Sequence, residues 1–229
     1  MHIMEGFLDW EWCVVWFIVA IPFVVLGAKK VIDLMREHPE HKMTVALSGA
    51  FIFLLSSLKI PSVTGSSSHP TGTGFSAALY GVSVTAFLST IVLIFQAILL
   101  AHGGLTTLGA NITSMGVIGP IAGYLVWRCL MKTKVGLPIS LGATALVADL
   151  FTYVVTAIQM TLNHGQSIDA FVAFMTNYAA TQIPLAIIEA ILFYMFGVYI
   201  MRNKPELFGI AGVAVEEAEE EDDPEEAAA

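Results

Sequence analysis

The chain has 229 residues, 56% of them hydrophobic and only 13% charged, against about 25% charged residues in soluble domains. Its mean hydropathy is +0.77, and several apolar blocks exceed the roughly 18 residues needed to cross a bilayer, so a soluble fold is excluded in favour of an all-α, polytopic membrane bundle. The net charge of −9 resides in Glu216, Glu217, Glu219, Glu220, Glu221, Asp222, Asp223, Glu225 and Glu226; the other ten acids match the ten bases. That balance leaves no basic footprint for nucleic acid. Cys13 and Cys129 lie in apolar spans and read as packing residues, not as a disulfide or a metal pair.

The chain opens Met1-His2-Ile3-Met4-Glu5-Gly6-Phe7-Leu8. It has no early Lys or Arg, and acids stand at Glu5, Asp9 and Glu11, which is unlike a cleavable secretory leader. His2 is too bulky for routine removal of the initiator methionine, so Met1 is expected to keep a free amine. An amine followed by histidine can chelate. The Met1 amine and the His2 amide nitrogen close a five-membered ring on a metal, and the His2 amide and imidazole Nδ1 close a six-membered one. A fourth ligand would complete a square, a geometry that suits Ni(II), Cu(II) and sometimes Co(II). Any chain can carry His at position 2, so the dipeptide alone decides nothing.

The first span is expected from about Trp12 to Ala28, with Trp10, Trp12 and Trp16 marking the interface. Lys29, Lys30, Arg36, His38 and His41 follow, so this loop is assigned to the cytoplasm and the N-terminus to the outside. The second span, Met43 to about Leu58, carries Ala46 and Ala50 with Ser48 and Gly49 between them; small residues at this spacing allow close helix approach. Next comes Lys59 to Gly74, rich in Gly, Pro and hydroxyls, which reads as neither helix nor strand. Such backbone survives at membrane depth only when buried in protein or lining a polar cavity. His69 is its one imidazole.

Apolar blocks then run from Phe75 to Ala101 and from Ile112 to Leu130, separated by the polar connector His102 to Asn111. Arg128, Lys132 and Lys134 look cytoplasmic. Two cytoplasmic loops need an even number of crossings between them, and only three apolar blocks are visible, so either the orientation is wrong or a crossing hides between Ile60 and Val82; the second is the preferred reading. A short helix from Gly74 to Tyr80, before a span from Val82 to Ala101, would put His69 inside the protein and His102 outside. A span from Leu137 to Met160 carries Asp149, which is costly in mid-membrane and so faces the bundle interior. Thr161 to Tyr178 reads as an external connector, and the last span, Ala180 to Met201, holds Pro184 and Glu189. The tally is about seven crossings, with residues 1–204 forming the membrane unit and 205–229 a disordered, cytoplasmic acidic tail. No G-x-x-x-x-G-K-[ST] phosphate loop, H-E-x-x-H helix or internal repeat is present.

Three stretches carry a resemblance: Met1 to Leu8, Val63 to Gly74 and Ala101 to Asn111. Together they resemble the CbiM/NikM family, the substrate-binding S-components of cobalt and nickel energy-coupling-factor (ECF) transporters, over nearly the whole chain to Lys204. The resemblance implies a six-helix core with an extra N-terminal helix, and Co(2+) or Ni(2+) as transported substrate. It implies ligation by the Met1 amine, the His2 amide and imidazole, and His69. Ser67, Thr71, His102 and Asn111 are candidates for supporting those ligands. Ala46 and Ala50 match the family's A-x-x-x-A contact for the coupling subunit. The implied partners are a CbiN-like small protein, a CbiQ-like coupling subunit and a CbiO-like ATPase in a cell membrane, with the metal supplying cobalamin synthesis. Ser67 stands where relatives often have Cys, and Asp9-Trp10 where they often have prolines. The competing readings are the nickel-specific counterpart, a stand-alone metal permease with a continuous polar path, and, from a third class, a membrane metalloenzyme.

Overall fold

The computed structural model describes residues 1–62, 65–203 and 207. It contains seven helices among those residues: α1 (Trp10–Glu37), α2 (Lys42–Ser57), α3 (Thr73–Tyr80), α4 (Val82–Leu100), α5 (Leu108–Leu130), α6 (Leu137–His164) and α7 (Ile168–Asn203). Five of them are long and apolar enough to cross a membrane; α2 and α3 are shorter. A rise of about 1.5 Å per residue makes α2 about 24 Å long, and α3 about 12 Å.

The hidden crossing is α3 with the extended chain before it. The α3–α4 turn, Tyr80 to Ser83, lines a cavity of about 410 Å³ together with Lys30, Tyr124 and Arg128. It therefore reverses at the basic ends of α1 and α5, as the parity of the loops requires.

Two expectations change. The stretch Lys59 to Gly74 does contain strand: β2 (Ile60–Pro61) and β3 (Ser66–Ser68) join β1 (His2–Ile3) in an antiparallel sheet of order β1-β3-β2. β3 pairs on one side with the nearby β2, as Ile60 opposite Ser68, and on the other with β1, some sixty residues away, which local composition cannot reveal. The external connector shrinks to a few residues, because α6 runs to His164 and α7 begins at Ile168. Residues 168–179 hold the helical apolar set Phe171, Phe174, Met175 and Tyr178, which packs on the N-terminal core. Within α5, residues Ile112–Ile118 are wound as π-helix, and Gly116 there lets α4 approach at Ser89. The acidic tail, placed in a separate disordered unit above, lies outside the described residues.

α1 packs on α4 and α5 as an outer helix. Gly27 sits where a Cβ would stand 2.0 Å from the Ser83 carbonyl oxygen, and Gly109 where a Cβ would stand 2.5 Å from the Phe17 nitrogen. The cores are layered. One joins α1, α2, α4 and α5; a second joins α2, α3, α5, α6 and α7; a third gathers around Met1 and Ile3. Gly27→Ala should therefore force α1 off α4 and destabilise the protein by on the order of 3 kcal/mol. Gly49→Ala, whose Cβ would meet only Leu88 at 3.6 Å, should be near neutral. Thermal unfolding in detergent checks the contrast.

Candidate metal site

The site is built on strand register. His2 pairs with Ser67 across β1 and β3, and directly opposed residues point to the same face of a sheet. The period of two then puts His69 on that face as well. The geometry follows: the His2 and His69 rings lie 4.2 Å apart, and His102, from the α4–α5 connector, closes the group at 4.4 Å from His2 and 5.0 Å from His69. One ligand nitrogen from each of the three lies within 4.8 Å of the others, and all three residues are buried. His102 thus stands closer to the centre than the supporting place expected for it.

Burial extends to the chain terminus. Met1, His2 and Ile3 are each 0% exposed. The terminus is sealed from three sides. Met4 donates its N–H to the Gly65 carbonyl at 3.0 Å, extending the sheet. The Asn111 side chain accepts from the Ile3 N–H at 2.8 Å and donates to the Ile3 carbonyl at 3.0 Å, and the Thr107 hydroxyl donates to the same carbonyl at 2.9 Å. At the end of α6, Asn163 accepts from the Asp9 N–H at 2.9 Å, and His164 Nε2 donates to the Phe7 carbonyl at 2.9 Å. Glu5 accepts from the Thr106 N–H at 3.2 Å and from its hydroxyl. The glycines of the connector are needed for this fit: a Cβ on Gly104 would stand 2.6 Å from the Glu5 Cα.

Burial also sets protonation. It lowers the Met1 ammonium from 8.0 to about 6, against the pull of Asp149 and Glu189. Burial, followed by Lys59 and the terminal amine, lowers His102 to about 3, and burial with His69 and His102 pushes His2 well down. At neutral pH the amine and these rings are free bases, the forms that bind metal. His69 uses Nδ1 on the Pro70 carbonyl at 2.8 Å, and its buried Nε2 has no partner among the described residues. A histidine held through one nitrogen presents the other as a ligand. His2 Nδ1 lies 3.1 Å from His102 Nε2, which Ser67 Oγ also reaches at 2.7 Å.

Against this geometry, a family model described as "Cobalt uptake substrate-specific transmembrane region" matches residues 2–207. The chain belongs to this family, CbiM. It is 51% identical over 221 residues to a putative cobalt transport protein CbiM 2 of Methanocorpusculum labreanum, covering 95% of this chain and 96% of that one. It is 50% identical over 214 residues to the cobalt transport protein CbiM of Streptococcus sanguinis, covering 92% and 88%. A crystal structure of a truncated transition metal transporter shares the fold, with a TM-score of 0.79 at 24% identity over 88% of this chain and 98% of that one. CbiM proteins are transporters, not enzymes, so the chain is a multi-pass membrane component of cobalt transport.

Of the residues singled out in the CbiM sequence, Met1, His2, His69, His102, Ser67 and Asn111 converge. Thr71 does not: its hydroxyl goes to Glu189 at 3.1 Å, because the backbone turns into α3 there. Ala46 and Ala50 are not part of this group and are exposed on α2. Asp149 faces inward and accepts from Gln182 Nε2 at 2.7 Å. Asn111→Ala would strand the buried Ile3 N–H. We expect a loss of about 1–3 kcal/mol, with faster amide exchange over residues 1–5 than in wild type, read by mass spectrometry.

Proposed function

We propose that the chain is the substrate-capture (S) component of an ATP-driven ECF importer for Co(2+), supplying cobalt for cobalamin synthesis. The cobalt would be held by the Met1 amine, the His2 amide and imidazole Nδ1, and His69 Nε2. The observation that carries this reading is a fully buried chain terminus beside two histidine rings 4.2 Å apart. Burying an amine is costly unless it is paired, and a metal offers such compensation. Within this reading His2 Nδ1 trades its bond to His102 for the ion, and Ser67 retains His102. A four-nitrogen plane does not by itself favour cobalt over nickel; the named relatives support cobalt.

Partnership rests on α2. Ala46, Gly49 and Ala50 line an apolar groove of about 710 Å³ with Phe53, Leu88 and Phe95. A groove floored by small residues accepts a partner helix, here the CbiQ-like coupling subunit, with a CbiO-like ATPase and a CbiN-like protein completing the importer. The basic residues at the ends of α1, α5 and α7 support a cytoplasmic C-terminus with its acidic tail and an N-terminus outside. ATP hydrolysis would reorient the S-component and release the metal inward. The permease reading is the less favoured, because the mid-span polar side chains bond within the protein. Gln96 is engaged by Ser56 and Ser57, Asp149 by Gln182, and Glu189 by Thr71 and Gly72.

Cobalt binding should vanish both in His69→Ala and in a protein with one residue added before Met1, as titration calorimetry will read. Normal binding by the extended protein would move the ligand set away from the amine. Ala46→Leu with Ala50→Leu should abolish assembly with the coupling subunit while cobalt affinity stays as in wild type, and uptake that persists in cells lacking the ATPase would sink the importer reading.

Proton release gives an independent check. The amide always loses its proton to the metal. The amine is already a free base above about 6, but must be deprotonated below it. Binding should therefore release about one proton per cobalt near pH 7.5 and about two near pH 5, so affinity falls more steeply on the acid side. Calorimetry in buffers of different ionisation enthalpy counts the protons.

A further inference from the structure

The segment from His69 to Gly72 is irregular backbone, and every residue in it is buried. Its backbone groups need partners, because no water reaches them at that depth. The partners come from a single helix. On α7, the Gln182 Nε2 donates to the His69 carbonyl at 3.1 Å. Glu189 accepts from the Thr71 N–H at 2.6 Å, the Gly72 N–H at 2.8 Å and the Thr71 hydroxyl at 3.1 Å. Thr181 shares a 2.7 Å hydrogen bond with the hydroxyl of Ser68, the residue before His69.

Glu189 is 0% exposed, and no cation is paired with it among the described residues. A charged carboxylate in mid-span normally has a cation, a cavity or a functional task. Here its task is to hold backbone: it takes the amides of Thr71 and Gly72, the two residues that lead into α3, where Gly72 at φ +70 has no side chain to offer. Gln182 and Glu189 are seven residues apart, two helical turns, and so share one face of α7. They bracket His69 from its carbonyl on one side to the turn into α3 on the other.

We infer that Gln182 and Glu189 are positioning residues for His69, fixing where its imidazole stands relative to His2. They act through the backbone and do not touch the metal. The inference rests on the proposal that His69 is a ligand. It adds that α7, which contributes no ligand, sets the ligand geometry.

The test uses the full chain in detergent. Wild type is compared with Glu189→Gln, which turns an amide toward backbone N–H groups, and Gln182→Leu, which removes the donor to His69. Thr71→Ser, which keeps the hydroxyl, is the conservative control. Val31→Ala, a core truncation between α1 and α2, is the control for general loosening. Amide exchange across residues 66–76 is read without metal. Cobalt binding is read by titration and by the visible absorption of bound Co(II), whose bands follow the ligand set. We expect faster exchange, cobalt binding weaker by on the order of tenfold and shifted bands in Glu189→Gln and Gln182→Leu. Thr71→Ser and Val31→Ala should keep the wild-type bands and affinity. Wild-type bands and affinity in both α7 variants overturn the inference, as do equal band shifts in Val31→Ala. If Glu189→Gln does not fold, Gln182→Leu decides. His69→Ala separates the two claims. If it binds cobalt normally, the ligand assignment falls and the inference with it; if it abolishes binding while both α7 variants bind normally, only the positioning role falls.

Discussion

Burial of the chain terminus is the constraint from which the rest of this bundle follows. An ammonium group in a dry interior is unfavourable by several kcal/mol unless it is paired or gives up its proton, and the lowered value of about 6 for Met1 records that pressure. Three further commitments accompany the buried end. A strand must hold the first residues, so β3 exists to pair with β1. A connector must close over them without clashing, so Gly104 packs against Glu5. A helix must begin directly beneath, so Asn111 near the start of α5 meets both backbone groups of Ile3.

The second constraint is polar backbone in mid-bundle. A crossing made of strand and short helix leaves amides and carbonyls that a continuous helix would satisfy internally. They are met by long polar side chains on α6 and α7. Gln159 donates to the Ala110 carbonyl at 3.0 Å, Gln182 to the His69 carbonyl, and Glu189 accepts from the Thr71 and Gly72 amides ahead of α3. Three of the polar residues of the spans therefore serve backbone, and Asp149 accepts from one of them, Gln182.

Much of this was legible in the residues. Helix count, the hidden crossing and the depth of His69 followed from apolar block length and the parity of basic loops, because these depend on quantities the sequence carries directly. The convergence of Met1, His2 and His69 was implied by a family resemblance and not by spacing, since sixty-seven residues separate the two histidines along the chain. The small sheet was not legible: a three-residue strand of serines has no periodic signal, its near partner is a two-residue strand, and its other partner, β1, is remote. Neither was the start of α7, where Thr176 and Asn177 interrupt hydropathy without interrupting the helix. Glu189 drew notice as a mid-span acid, but only the fold could tell that its partner is backbone. The central place of His102 was also hidden, because a polar glycine-rich connector looks external until the N-terminus is seen to fold beneath it.

The enclosure bears on how such a protein can work. The terminus that offers the proposed ligands is also the plug that seals them, and it is held by the sheet, the connector and the end of α6 together. An ion in that place is captured by the same contacts that exclude water, so entry and exit both require some of them to open. A protein built this way is poorly suited to conduct and well suited to hold. Holding needs no energy source of its own, whereas release does, because several bonds must be broken together. Under the proposed reading, the groove on α2 lined by Ala46 and Ala50 would be where an external source of that work attaches. Capture and coupling would then be separate surfaces of one fold, joined by α3, whose first residues lie close after His69 and whose body packs against α2, α4, α5 and α6.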